Sequence, residues 1–297
     1  MKILLQFPEG LKKEAISYCD KYRKEGHEVF LSCAACYGAC DLALEEAKKI
    51  DADKMIHFGH SKFVRIHLPI DIEYVEYHTD VNLDNFKAAV EGLKGVKSVA
   101  FGTTIQHTHQ LQDMLEIFKK AGIEAKTGRG IVAYNIGQIL GCDAQAVARY
   151  SRETDAIVFV GDGMFHALAI SSEKPVYVIH PKSGEIRKIN EDIEKIQKKR
   201  RGSVIAASKA ETFGILVSTK IGQCNVMAAR RIKEELDKKG KKSEILIANE
   251  LNAASLANFQ SFDAYINTAC PRIVDDNEMF GKPVINPTDM KLLLELI

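Results

Sequence analysis

Seven cysteines in 297 residues are the groups of this sequence best able to do chemistry. Three are crowded into Cys33-Ala-Ala-Cys36-Tyr-Gly-Ala-Cys40, a run whose thiolates could hold zinc or an iron–sulfur cluster locally. Two others point to a dispersed arrangement. Cys40 and Cys142 each precede an aspartate (Asp41, Asp143) and a helix-like stretch, and each lies 13 residues before a second aspartate, Asp53 or Asp155, that opens an apolar strand. Aspartate is a good N-cap, so both thiols are expected just ahead of a helix, where the dipole favours the metal-binding thiolate. Cys270 stands seven residues after Asp263, the offset that gives His60 after Asp53 and Asp162 after Asp155. Cys19 and Cys224 read as small core residues.

The elements that must position these groups recur. Lys2-Ile-Leu-Leu-Gln-Phe, Lys97-Ser-Val-Ala-Phe-Gly and Phe213-Gly-Ile-Leu-Val-Ser are apolar strands, each followed by an amphipathic helical stretch. Asp53, Asp155 and Asp263 then open a second strand in each block, and Pro69, Pro175 and Pro283 open a further apolar run. Strands alternating with helices at this density predict α/β architecture: three similar small α/β domains with mainly parallel sheets, at 1–95, 96–208 and 209–297. In such sheets strand ends and the loops before helices share one edge, where ligands bind. Three units facing one another would bring Cys40, Cys142 and Cys270 to one centre. In the third block the position matching Cys40 and Cys142 is Glu250. The local run of Cys33, Cys36 and Cys40 remains the other arrangement, although it leaves Cys142 and Cys270 without a role.

Composition removes whole classes of function. Forty-one basic against forty acidic residues leave a formal charge of +1, which argues against a broad nucleic-acid footprint and for no direct nucleic-acid partner. With 46% hydrophobic and 27% charged residues the chain is ordinary globular protein, able to bury roughly 75% of its unfolded surface without disulfides. No export signal or apolar run of about 20 residues is evident, so a cytoplasmic, membrane-free protein with reduced thiols is expected. Lys195 to Arg201 reads as the charged end of a helix. Walker A and H-E-x-x-H motifs are absent. His107-Thr-His109 offers two histidines that could ligate a metal but read as an incidental pair at a surface helix start, Gly128-Arg-Gly130 fits only the loosest dinucleotide pattern, and the C-x3-C-x2-C order of common radical S-adenosylmethionine (SAM) enzymes does not occur. Gly161-Asp162-Gly163 and Ser218-Thr-Lys220-Ile-Gly222-Gln223 follow strands, and their small residues and backbone N–H groups suit a carboxylate or phosphate.

Tyr37-Gly-Ala-Cys40-Asp41, Phe58-Gly-His-Ser61, Leu140-Gly-Cys142-Asp143, Ser218-Thr-Lys-Ile-Gly-Gln223 and Ala269-Cys270-Pro-Arg272 resemble the diphthamide-synthesis radical enzymes, the 2-(3-amino-3-carboxypropyl)histidine synthases, in their archaeal form. The resemblance spans all three blocks. It implies one cysteine per domain (Cys40, Cys142, Cys270) on a 4Fe–4S cluster with one iron left open to SAM. It also implies a homodimer, an unidentified electron donor, and transfer of the 3-amino-3-carboxypropyl group to imidazole C2 of a histidine in translation elongation factor 2, with release of methylthioadenosine. Position then suggests Lys220, Gly222, Gln223, Gly161, Asp162 and Gly163 for SAM, with Arg272 and Asp275 for its amino-acid end. His60 is a candidate for approach to cluster or substrate, and no catalytic residue is assigned. Quinolinate synthase, also three α/β units on a three-cysteine cluster, is the nearest alternative enzyme. A non-catalytic metal protein using Cys33, Cys36 and Cys40 is the other.

Overall fold

The computed structural model describes residues 1–63 and 67–297. Each sequence block builds one sheet, and the first strand of the block always lies inside it. In the first sheet β1 (Lys2–Gln6) separates β2 (Glu28–Leu31) from β3 (Lys54–Phe58), with β4 (Asp71–Val75) beyond β3. In the second, β5 (Ser98–Thr103) lies between β6 (Glu124–Lys126) and β7 (Ala156–Val160), followed by β8 (Val176–Ile179) and β9 (Ile186–Lys188). In the third, β10 (Thr212–Ser218) lies between β11 (Lys242–Ala248) and β12 (Ala264–Asn267), with β13 (Val284–Ile285) outermost. Pairing is parallel throughout except for β8 with β9. Parallel neighbours need crossovers, and α1 (Ala15–Lys24), α2 (Leu44–Lys49), α4 (Leu111–Lys120), α5 (Gln145–Ala148), α6 (Met164–Ala167), α8 (Val226–Lys238) and α9 (Ala253–Leu256) lie in them, whereas α3 (Leu83–Glu91) and α7 (Asn190–Ala207) join one sheet to the next and α10 (Met290–Leu296) follows the last strand. Coverage on both faces explains why β7 reads Ala-Ile-Val-Phe-Val with every residue buried.

The chain divides into two compact units, Met1–Glu191 with two of the sheets and Asp192–Ile297 with the third. The joining helices pack forward. Phe86, Ala89 and Val90 of α3 enter the core made by Val99 and Phe101 of β5 and Met114 and Phe118 of α4. Val204 and Ala207 of α7 enter the core of the third sheet with Phe213, Ile215 and Ile232. The sequence boundaries after 95 and 208 and this packing therefore differ by one helix each. Amphipathicity reveals that a helix must bury a face but not which sheet receives it.

The aspartate that recurs in the sequence has a structural task. Asp53 Oδ2 accepts the backbone N–H of Lys2 at 2.7 Å. Asp155 Oδ2 accepts those of Lys97 and Ser98, both at 2.9 Å. Asp263 Oδ2 accepts those of Glu211 and Thr212 at 3.0 Å and the Thr212 hydroxyl at 2.8 Å. Each carboxylate thus clamps the start of the inner strand to the start of its neighbour.

These bonds hold the Asp263 carboxyl below its ordinary pKa, the Thr212 hydroxyl first and the backbone N–H groups of Glu211 and Thr212 next. A folded pKa below the unfolded one stabilises fully above about pH 4 and is lost as pH falls through the folded value. Asp263→Asn is therefore expected to lower the thermal midpoint by the same amount from neutral pH down to about pH 4, and melts of variant and parent should converge only as the pH falls further, through the folded value.

Candidate functional site

Cys40, Cys142 and Glu250 occupy equivalent places, in the loops after β2, β6 and β11, each 14 residues before the first residue of β3, β7 or β12. His60, Asp162 and Cys270 are likewise equivalent, in the loops after β3, β7 and β12. Both sets lie at the carboxyl edge of their sheets, where open parallel sheets bind ligands. Within Met1–Glu191 the first two edges touch: Ser61, next to His60, shares hydrogen bonds of 2.9 and 3.0 Å with Gln138, four residues before Cys142.

Of the three cysteines Cys142 is exposed, and Cys40 and Cys270 are half-buried. Each sits on a turn braced by a buried polar side chain. Gln6 on β1 donates from Nε2 to the Asp41 carbonyl (2.8 Å) and accepts at Oε1 from Ala43 N (3.3 Å), gripping the chain just beyond Cys40. Asp143 Oδ2 accepts from Val132 N at 2.7 Å and Ala133 N at 3.0 Å, while Oδ1 accepts from Gln145 N at 3.0 Å. A Cβ on Gly130 would collide with this carboxylate, so the glycine singled out as a loose dinucleotide pattern instead admits the brace of the Cys142 loop. Asn267, fully buried at the end of β12, donates to the Cys270 carbonyl and to Asn286 Oδ1, both at 2.9 Å. Asn286 in turn donates to the Pro271 carbonyl at 2.9 Å.

The aspartates following Cys40 and Cys142 are not helix caps. The caps of α2 and α5 are Ala43 and Ala144, neither with a side-chain cap bond, and the helices are six and four residues long. So few aligned peptides add little dipole. At Cys270, burial pushes the thiol pKa up, while backbone N–H groups of Arg272 and Ile273 and the Arg272 guanidinium favour the thiolate. N–H groups directed at a sulfur, with cysteines on braced turns at the sheet edges, fit an iron–sulfur ligand set.

The positions suggested for SAM are placed as follows. Lys220 Nζ meets Glu250 at 2.6 Å, so the glutamate that replaces a cysteine in the third sheet has a cationic partner. The turn containing Gly222 closes with Gln223 N donating to the Lys220 carbonyl at 2.8 Å. Gly161 is forced, since a Cβ would lie 2.6 Å from the Phe159 ring; Asp162 is exposed; and Gly163 faces open space at the start of α6. Asp275 is shared by two guanidiniums, Arg272 Nε and Arg200 Nη2, each at 2.7 Å. Arg200 belongs to the charge run Lys195 to Arg201, which by sequence is a solvated helix end, and only the position of its partner singles it out.

His60 Nδ1 lies 3.0 Å from His57 Nε2. Burial lowers the pKa of His57 to about 3 and that of His60 to about 4, with His60 acting on His57 and His166 on His60 as lesser repulsions. Both imidazoles are neutral at pH 7. His57, buried on β3, escaped the sequence reading because a histidine inside an apolar strand carries no motif. His107 and His109 take separate partners, the Thr79 carbonyl at 2.8 Å and Asp80 at 2.9 Å. Cys19 is buried as expected, but Cys224 is exposed, because it lies beyond β10 in a loop rather than on a packed face.

A family model for diphthamide synthesis proteins matches residues 7–296. The chain is 35% identical over 303 residues to 2-(3-amino-3-carboxypropyl)histidine synthase of Pyrococcus horikoshii, covering 99% of this chain and 86% of that protein. It is 30% identical over 318 residues to the enzyme of the same name from Methanocaldococcus jannaschii, covering 99% and 84%. The crystal structure of Dph2 from Pyrococcus horikoshii with a 4Fe–4S cluster superposes with a TM-score of 0.90 at 34% identity, over 100% of this chain and 86% of that one.

Asn267→Ala would leave the Cys270 carbonyl and Asn286 without their buried donor. It is expected to cost about 1–3 kcal/mol in urea unfolding of the metal-free chain.

Proposed function

The chain belongs to the diphthamide-synthesis family, and from that premise we propose that it is a 2-(3-amino-3-carboxypropyl)histidine synthase. The observation that carries this reading is the full-length likeness to proteins of that name, one of them seen with a 4Fe–4S cluster. It favours this activity over the quinolinate-synthase-like condensation and over a non-catalytic metal protein.

Cys40, Cys142 and Cys270 are the cluster ligands in this reading, one from each sheet, and three thiolates leave one of four irons without a protein ligand. When bound, the reduced cluster supplies the single electron for SAM cleavage. The S–Cγ bond of SAM would break, methylthioadenosine would leave, and the 3-amino-3-carboxypropyl group would replace the hydrogen at imidazole C2 of a histidine in translation elongation factor 2; that hydrogen departs as a proton and an electron, so the transfer is redox-neutral overall. The chain's part is positional. Gln6, Asp143 and Asn267 hold the three cysteine turns. The Lys220–Gln223 turn and Gly161–Gly163 present backbone N–H groups at sheet edges to SAM. Arg272 takes its carboxylate while Asp275, which already joins Arg272 to Arg200, faces its ammonium. The working form is a cytoplasmic homodimer fed by an electron donor yet to be identified. Among the described residues no helix is long and apolar enough to cross a membrane.

The test is anaerobic: reconstitute with iron and sulfide, add dithionite and SAM without protein substrate, and identify the nucleoside by mass. Methylthioadenosine is expected, at background in Cys40→Ala, Cys142→Ala and Cys270→Ala. Deoxyadenosine would contradict the proposed bond cleavage, and no cleavage by cluster-loaded protein would contradict the activity.

A further inference from the structure

The proposed function gives no task to the buried thiol of Cys36 or to the buried imidazole of His57. Yet Cys36 Sγ and one ring nitrogen from each of His57 and His60 lie within 4.8 Å of one another. We propose that Cys36, His57 and His60 form a binding site for one divalent transition ion of the zinc class. Zinc bonds of about 2.0–2.3 Å put tetrahedral ligand atoms about 3–4 Å apart, so this cluster needs only a slight contraction to close on an ion.

The surroundings of His57 support the assignment. Its Nδ1 lies 2.8 Å from Gln6 Oε1. The orientation of that amide is settled by its other bonds, Nε2 to the Asp41 carbonyl and Oε1 from Ala43 N. Oε1 can only accept, so His57 Nδ1 carries the proton and Nε2 presents its lone pair toward His60 and Cys36. An oxygen acceptor holding the far nitrogen of a ligand histidine is the usual support of a metal–imidazole bond. Without metal, His60 Nδ1–H donates across the 3.0 Å gap to that lone pair. On binding, His60 carries its proton on Nε2 instead and Cys36 releases one proton as the thiolate forms.

Burial is graded. His57 and Cys36 are closed off at 0% and 3% exposure, and His60 is half-buried. Three protein ligands of which one is open to solvent leave a fourth position for water, the pattern of non-structural zinc sites. Mixed thiolate and imidazole donors suit zinc or cobalt better than magnesium or calcium. The site is not the three-thiol run of the sequence, since Cys33 is exposed and outside the group.

The test uses full-length protein with Cys40, Cys142 and Cys270 all changed to alanine, so that cluster ligands do not contribute and SAM chemistry plays no part. The metal-free chain, its fold checked by circular dichroism, is titrated anaerobically with Co²⁺ and then Zn²⁺. One equivalent of cobalt is expected, with a thiolate-to-cobalt charge-transfer band and tetrahedral visible bands that zinc abolishes. Adding Cys36→Ala should remove the charge-transfer band, and His60→Ala, at a half-exposed position, should weaken binding at least as much. Gln6→Ala should weaken it about 10–100-fold. A folded chain that shows no such band, or a band that survives both Cys36→Ala and His60→Ala, would overturn the proposal.

Discussion

Because β1, β5 and β10 each lie between the second and third strands of their own sheets, every one of these sheets delivers two loops to the carboxyl edge beside its innermost strand. Parallel pairing allows no hairpin there, so each loop must start a crossover back along the sheet. That geometry, repeated three times, is what places Cys40, Cys142 and Glu250 in one structural role and His60, Asp162 and Cys270 in another. It depends on register, and the clamps by Asp53, Asp155 and Asp263 tie the start of each inner strand to that of its neighbour.

Buried polar side chains convert this topology into a defined edge. Gln6, Asp143, Asn267 and Asn286 have no part in the apolar cores, yet each hydrogen-bonds backbone groups within a few residues of a cysteine. Satisfied polar networks of this kind specify one conformation where apolar packing would tolerate several. Thiols on turns fixed in this way can keep their places with or without metal, whereas the short helices behind Cys40 and Cys142 could not supply that rigidity through their dipoles.

Much of this was legible in the sequence, for identifiable reasons. The inner strands are continuous apolar runs, and the aspartates recur because each sheet needs the same clamp, so both repeat visibly. Cys40, Cys142 and Cys270 stood out by offset alone. What was not legible involved partners distant in sequence. The forward packing of α3 and α7 depends on which sheet is nearest, and the brace of Asp143 on Val132 and Ala133 depends on a loop that folds back. The grouping of Cys36 with His57 depends on which way a residue inside a buried strand faces. Local propensity favours Asp41 and Asp143 as caps, but the caps are Ala43 and Ala144, and the Asp143 carboxylate is taken up by the backbone of Val132 and Ala133.

The central claim is that cysteines from all three sheets, and not the local run of thiols, hold the cluster. Counting iron and sulfide per chain after anaerobic reconstitution, with Mössbauer spectra of the parent and of single cysteine variants, tests it most directly. The account predicts four irons in one 4Fe–4S cluster, disrupted alike by Cys40→Ala, Cys142→Ala and Cys270→Ala and retained in Cys33→Ala and Cys36→Ala. An intact four-iron cluster in folded Cys142→Ala or Cys270→Ala protein would contradict it.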